Sequence, residues 1–517
     1  MLCPAIAAVF VLLPATPARA ENEALLRLLQ VLRDRGSITP QEYEEIRSLA
    51  EPPRTTTGSG QAGAIVPRLT PQTKAVTIPA QEKAGAAIAP QEKVIAVVAR
   101  QEDPIAASAR QEDAIAAIAQ QESATKAQSE ADPPVAKRDP EGRWYERLGL
   151  RGYTQLRLSD VVNHEGPALE VPADRSVNEN ESFIIRRGRF VLSGDVTDRL
   201  SLYAQSDFNG SIGTSDFAVQ MRDLYADIWL DADKRFRVRA GQSKIPFGWV
   251  NMQSSQNRAP LERPDALNSA VEGERDYGAL FMWTSSTARQ RFRDITARGL
   301  KGTGDYGTVA VGLYSGQGPN RADQNGQTHV VARVAYPFRL PSGQFVEVGV
   351  QAYRGRFVTP LQAIAAGTGA PITPTQNPDG EIDQRIGFTA IWYPQRFGIE
   401  TEWNFGRGPE LSPDFTRIQS ESLHGGYVQV NYRAQHASGT WFPFTRWNYY
   451  DGARKFARNA PPTRVNELDI GVEFAKWAEV ELTGVYTHTF RRTRTGTFPF
   501  TPTLNANRVG VQLQWSY

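Results

Sequence analysis

The sequence predicts an all-β fold, a sixteen-stranded antiparallel transmembrane β-barrel preceded by a short helical segment and a low-complexity spacer. Three observations carry this. From about Trp144 to Tyr517 short runs alternate apolar and polar residues, and glycine and aromatic residues (10%) are plentiful. After residue 20 nothing approaches the run of about 20 apolar residues that a spanning helix needs. The 517 residues carry a net charge of +2, with a mean hydropathy of −0.43. Strands facing lipid and lumen by turns average to such polarity. So small a net charge argues against a nucleic-acid-binding surface.

Residues 1–20 read as a secretory leader, an apolar stretch ending in Ala18, Arg19 and Ala20. The single cysteine, Cys3, would leave with it, so the processed chain has no thiol chemistry. Residues 21–50 predict a short, coiled-coil-like helical segment. Leu25, Leu28, Leu29 and Leu32 share a face, Gly36 stops the helix, and Thr39, Pro40 and Glu42 restart one. Residues 51–143 are a largely disordered spacer, in which Gln-Glu recurs every ten residues at Gln81, Gln91, Gln101, Gln111 and Gln121. That period suits neither seven- nor eleven-residue supercoils, and Pro79, Pro90 and Pro104 interrupt it.

Over 144–517, strands are expected to begin near Leu148, Ile184, Leu200, Arg222, Arg235, Tyr277, Thr308, His329, Phe345, Arg385, Phe397, Gly425, Phe442, Val465, Glu479 and Arg508. Tight turns fall at 196–199, 231–234, 341–343 and 394–396, whereas 288–301 is ambiguous. In the first strand Leu148, Leu150, Leu156 and Leu158 share one face and Arg151, Tyr153, Gln155 and Arg157 the other. The last strand sets Val509, Val511, Leu513, Trp515 and Tyr517 against Arg508, Gln512 and Gln514. Alternation alone also fits a soluble sandwich. The even strand count, tryptophans near strand ends (Trp229, Trp283, Trp392, Trp403, Trp515) and the terminal aromatic Tyr517 favour the membrane barrel.

A barrel of this size encloses an aqueous lumen. Arg151, Arg157, Arg187, Arg189, Arg235, Arg237 and Arg239 would form a basic wall, with Arg333 further round. The stretch 241–278 leaves about thirty residues outside strands, long enough to fold into the lumen and bring Lys244 and Arg258 to a constriction. Guanidinium groups grip phosphate and carboxylate by two points, and such rings set anion selectivity. The alternative is that these arginines pair with acids nearby, for which Asp207, Asp223 and Asp227 are placed. Further acids gather at Glu400, Glu402, Glu467, Asp469, Glu473, Glu479 and Glu481, giving a transverse field if both sets are unpaired.

Enzyme signatures are weak. Gly302, Gly304 and Gly307 match G-x-G-x-x-G without a following helix, the five histidines lack ligand spacing, and no G-x-S-x-G occurs. The sequence predicts no catalytic residue, no metal and no cofactor.

The arginine strand RRGRF, the GQSKIPFG turn and the stretch YSGQGPNRADQNGQTHVVARVAYPF together resemble the phosphate-selective porin O/P family over about 145–517. The motif residues are Gly241, Lys244, Pro246, Phe247 and Gly248. The resemblance implies a homotrimeric outer-membrane channel whose loop after the fifth strand turns inward. It also implies that Arg187, Arg189 and Lys244 attract phosphate-like anions. The family's Asn-Gly-Gln-Gly turn is Ser315, Gly316, Gln317 and Gly318 here, and the barrel holds few lysines (Lys234, Lys244, Lys301, Lys455, Lys476), so strict phosphate specificity does not follow. The expected surroundings are outer-membrane lipid and lipopolysaccharide, inorganic anions, and a periplasmic or cell-wall contact through the N-terminal segment. The competing readings are a secreted, soluble glycan-binding β-protein and a barrel-embedded hydrolase.

Overall fold

The computed structural model describes residues 143–174, 176–177, 182–210, 217–365, 370–495 and 501–517. The leader, the helical segment and the spacer up to residue 142 lie outside them. The strands are β1 (Leu148–Glu165), β2 (Ser182–Asp195), β3 (Leu200–Gly210), β4 (Phe217–Trp229), β5 (Phe236–Lys244), β6 (Arg275–Trp283), β7 (Val309–Tyr314), β8 (His329–Arg339) and β9 (Phe345–Phe357). They continue as β10 (Glu381–Trp392), β11 (Phe397–Leu411), β12 (Ile418–Tyr432), β13 (Ala434–His436), β14 (Gly439–Ala453), β15 (Pro462–Trp477), β16 (Val480–Thr493) and β17 (Thr503–Ser516). Both β12 and the three-residue β13 pair with β14 and form one stave. The seventeen segments therefore make sixteen antiparallel staves, and β17 pairs with β1 to close the barrel, Arg157 opposite Gln512. Closure leaves no unpaired edge.

Burial separates the barrel from a sandwich. Side chains on one face of each strand are apolar and exposed, such as Leu150 (71%), Phe183, Val334, Phe388 and Ile470, whereas those on the other face are polar and buried, such as Gln155, Arg157, Glu402 and Asp469. A soluble protein has the reverse arrangement, so the apolar surface belongs in lipid. Trp229, Trp283, Trp392 and Trp515 lie at the ends of their strands nearest the short turns. Trp403 does not. It lies within β11, where its ring meets those of Trp447 and Tyr449 at 5.9 and 6.3 Å on the outer face.

Three further expectations are corrected. Arg235 and Glu479 lie exposed in the turns before β5 and β16 rather than on the lumen face, and Arg235 pairs with Asp231 at 3.0 Å. The ambiguous stretch 288–301 is largely helix, α3 (Ser286–Ala297), capped by the Ser285 hydroxyl, which accepts from the Ala288 N–H at 3.2 Å.

Among the described residues, two long connections cross the lumen. The first, 245–274, holds the short helices α1 (Trp249–Met252) and α2 (Asp265–Asn268). Gly248 opens it with φ +86, and a Cβ there would lie 2.8 Å from Leu267. Its ends pack on the near wall, Ile245, Phe247 and Val271 against Leu280, Tyr314 and Tyr353. Its middle reaches the far wall, Ala259 and Leu261 against Phe442, Phe444 and Val485. The second connection, 284–308, comes from the short-turn side and carries α3, whose Ala288, Phe292 and Ile295 are buried. It also crosses the lumen, because Lys301 pairs with Glu473 of β15 at 2.8 Å. The two insertions meet where the Gln253 amide donates to the Lys301 carbonyl at 2.7 Å, and where Trp249, Leu267, Ile295 and Leu300 share a cluster with Tyr393 and Tyr427.

Trp249 is 1% exposed at this junction, its ring 6.3 Å from that of Tyr393. Trp249→Ala should lower the unfolding free energy by about 3–5 kcal/mol, the usual cost of emptying a buried aromatic site. Urea unfolding of vesicle-folded protein measures this. The lipid-facing Trp392→Ala should cost distinctly less, and equal losses would contradict the packing described.

Candidate functional site

The inward loop is held by charge. Burying a guanidinium is costly unless a carboxylate and further acceptors satisfy it, and Glu262 at the loop's midpoint does this for three. It meets Arg157 Nη1 at 2.9 Å, Arg186 Nη2 at 2.9 Å and Arg187 Nη2 at 2.7 Å. The Glu262 carbonyl also accepts from Arg446 of β14 at 2.7 Å. Further anchors surround this one. Asp265 pairs with Arg491 of β16 at 2.9 Å, Arg385 of β10 donates to the Ala266 carbonyl at 2.9 Å, and Glu402 of β11 accepts from the Trp249 and Val250 N–H groups at 2.5 and 2.8 Å. The loop thus touches staves around most of the circumference.

The basic wall is paired throughout. Arg157 also meets Asp174 at 2.9 Å, Arg189 meets Asp207 at 3.1 Å and the Ser255 hydroxyl at 2.5 Å, and Arg239 meets Asp227 through two 2.8 Å bonds beneath the Tyr225 ring. Arg237 lies 3.8 Å from both Asp227 and Asp305, Arg333 pairs with Glu347 at 2.8 Å, and Arg151 reaches Tyr203. Asp223 binds Arg275 at 2.9 Å. Lys244 and Arg258 do converge in the inward loop, but both are buried against Glu274, Lys244 at 3.4 Å. Of the acids, Glu400 accepts from Asn431 at 3.0 Å and Glu481 from Gln514 at 3.1 Å. A transverse field required two unpaired sets, and the basic set is paired by the loop's own carboxylates and by acids on neighbouring strands, while Glu400 and Glu402 are met by neutral donors.

Two arginines escaped the alternation rule. The β1–β2 register passes from Gln155–Arg187 to Leu156–Ile185, and the β3–β4 register from Gln205–Asp223 to Ser206–Met221. Each shift is a β-bulge, and the extra residues are Arg186 and Arg222. A bulge turns consecutive side chains to one face, so both point inward where strict alternation would send them to lipid. The sequence sign was present in the charged doublets Arg186-Arg187 and Arg222-Asp223, since a lipid-facing arginine at mid-depth costs about 2–4 kcal/mol.

Both bulged arginines line a cavity of about 470 Å³ on the long-loop side of the inward loop. Arg187, Arg189 and Arg263 join them, facing Asp174, Asp207, Glu262 and Glu274. Arg186 is shared with Glu262 and Asp174. Arg222 has no carboxylate within ion-pair reach among the described residues; its Nη2 donates to the Gly273 carbonyl at 2.7 Å. Chemically, the cavity offers a guanidinium with donors to spare beside a nearly balanced set of fixed charges.

Residues 168–474 match the family model of phosphate-selective porin O and P. No curated protein sequence matches the chain. Among solved structures, the outer membrane channel DcaP of Acinetobacter baumannii is 14% identical, with 72% of this chain and 97% of that chain covered and a TM-score of 0.42. The anion-selective porin from Comamonas acidovorans is 10% identical, with 72% and 99% covered and a TM-score of 0.40. The trimer form of OmpT from Vibrio cholerae is 10% identical, with 72% and 99% covered and a TM-score of 0.42.

Burial raises the Glu262 carboxyl, but Arg186, Arg187 and Arg157 outweigh it and hold it at about 2, against an ordinary 4.5. The folded value is the lower one, so the clamp's contribution is complete above about pH 4.5 and is lost as pH falls towards 2. Single-channel conductance should therefore stay constant from neutrality to about pH 4 and rise below it as the loop lets go. Glu262→Gln removes the one carboxylate of Arg187 and a shared one from Arg157 and Arg186, at a cost of about 3–5 kcal/mol, and should show the raised conductance already at pH 7. An acid response identical in the variant would contradict this.

Proposed function

The chain belongs to the phosphate-selective porin O and P family and is an outer-membrane porin; from that premise we propose that it passes small hydrophilic solutes by passive diffusion with a preference for anions, phosphate-like oxyanions among them. The observation that carries the preference is Arg222, an inward guanidinium without a carboxylate partner among the described residues, set beside Arg186 in the wall of the cavity. An arriving anion gains charge-assisted hydrogen bonds there, and the acids close by keep binding weak enough for release. Arg187, Arg189 and Lys244 contribute to this basic surroundings while remaining paired. Because acids match the cations so closely, the preference is modest and strict phosphate selectivity is not expected. Family and fold support a channel rather than an enzyme.

We further propose the homotrimer that the family resemblance implies. We also propose that the N-terminal segment is periplasmic; what supports this is that β1 begins beside Gly194, at the end of the barrel that carries the short turns.

In a KCl gradient across a planar bilayer, the zero-current potential should have the sign of chloride preference. Losing one charge close to an ion's path is worth about 1 kcal/mol in water, or about fivefold in permeability ratio. Arg222→Ala combined with Arg186→Ala should move the ratio towards cations by about that factor for each charge removed and relieve phosphate block of the chloride current. Cation preference in the unaltered protein would show that the lumen acids dominate.

A further inference from the structure

The outer wall holds one group of charges that the channel does not use. At the long-loop ends of β8 to β11 the outward row, read from the register, runs Val330, Arg354, Gln384, Arg407. Arg356 is the next outward residue along β9, between the inward-facing Gly355 and Phe357. Elsewhere on this face Arg464 is neutralised by Asp451 at 2.6 Å. None of Arg354, Arg356 and Arg407 has a carboxylate within ion-pair reach among the described residues. Arg356 and Arg407 donate only to the Gly380 and Ser420 carbonyls, each at 2.9 Å.

Beside them lies a groove of about 570 Å³ bordered by Val330, Arg354, Arg356 and Ile382. Its floor is the directly opposed pair Ala332 and Ala352, where the next outward pair down the wall is Val334 and Val350. Small side chains on two adjacent strands leave an apolar slot that runs along the wall. An arginine is expensive on the lipid face at mid-depth and tolerated at the interface. Three unneutralised ones at the loop-side rim therefore sit at headgroup level.

We propose that this groove binds a phosphorylated glycolipid of the outer leaflet, with an acyl chain over Ala332 and Ala352 and a phosphate held by Arg354 and Arg356, Arg407 standing two staves away on β11. Charge complementarity selects the occupant, since guanidinium groups favour phosphate over a zwitterionic headgroup. The inference rests on the outer-membrane reading and not on anion preference in the lumen.

The test uses the full-length protein in detergent, titrated with diphosphoryl lipid A and followed by native mass spectrometry. The unaltered protein should retain the lipid. Arg354→Gln with Arg356→Gln should weaken it about tenfold, a loss of one or two charge-assisted contacts, and Ala352→Leu should weaken it by filling the slot. Heat-modifiable migration on a gel checks that each variant is folded, and an unchanged KCl zero-current potential separates this site from the lumen. Equal retention by all variants would overturn the proposal. So would equal binding of dephosphorylated lipid A, or full competition by inorganic phosphate, which would identify a headgroup-independent or a chain-independent interaction.

Discussion

The Glu262 carboxylate is the constraint on which the rest of the lumen depends. Sixteen staves enclose more space than wall side chains can fill, and the strand faces that line it carry arginines that cannot be left buried and uncompensated. The loop 245–274 resolves both problems. It brings apolar residues to fill space and a carboxylate to meet Arg157, Arg186 and Arg187 at 2.9, 2.9 and 2.7 Å. Such buried pairs add little net stability over an apolar equivalent, but breaking one is costly, so they specify position more than they strengthen it. In this barrel they specify where the loop crosses.

Position then decides function. With Glu262, Asp265, Glu274 and the strand aspartates spent on holding the loop, most of the basic wall is already neutralised, and the field left for a solute comes from what remains. On the basic side, what remains is concentrated at two β-bulges. Had β2 and β4 kept strict alternation, Arg186 and Arg222 would face lipid and the cavity would lack its spare guanidinium. The second insertion, pinned by Lys301 to Glu473 at 2.8 Å, supports the first from the opposite side. The lumen is thus crossed by two chain segments that meet at Gln253 and Lys301.

Much of this was legible in the residues. The alternation in β1 and β17, most strand starts, the even stave number and the long segment after β5 follow from period-two patterning and from loop length, whereas β4, β12 and β17 begin at Phe217, Ile418 and Thr503, ahead of the expected Arg222, Gly425 and Arg508. The failures have physical reasons. Glu479 and Arg235 fit the alternation by parity, but the chain had already entered a turn there. Its aromatic character suggests a strand end for Trp403, whereas it packs mid-strand over Gly426, where a Cβ would lie 2.8 Å from its ring. The pairing of Arg157 with a residue 105 positions away could not be read from local pattern at all. Nor could the bulges, except through the charged doublets that mark them.

The most direct test of the central claim is whether the loop truly crosses to the far wall. A Cβ placed on Gly510 of β17 would lie 2.7 Å from Leu261 Cδ1, with its other neighbours at 3.3 Å or beyond. Leu261→Cys with Gly510→Cys, in a Cys3→Ala background, therefore sets two thiols on neighbouring positions of loop and wall. Mild oxidation of the membrane-inserted protein should close an intramolecular disulfide, seen as a shift on a non-reducing gel. If both thiols instead stay reduced and react freely with a membrane-impermeant maleimide, the loop lies outside the lumen and the account is contradicted.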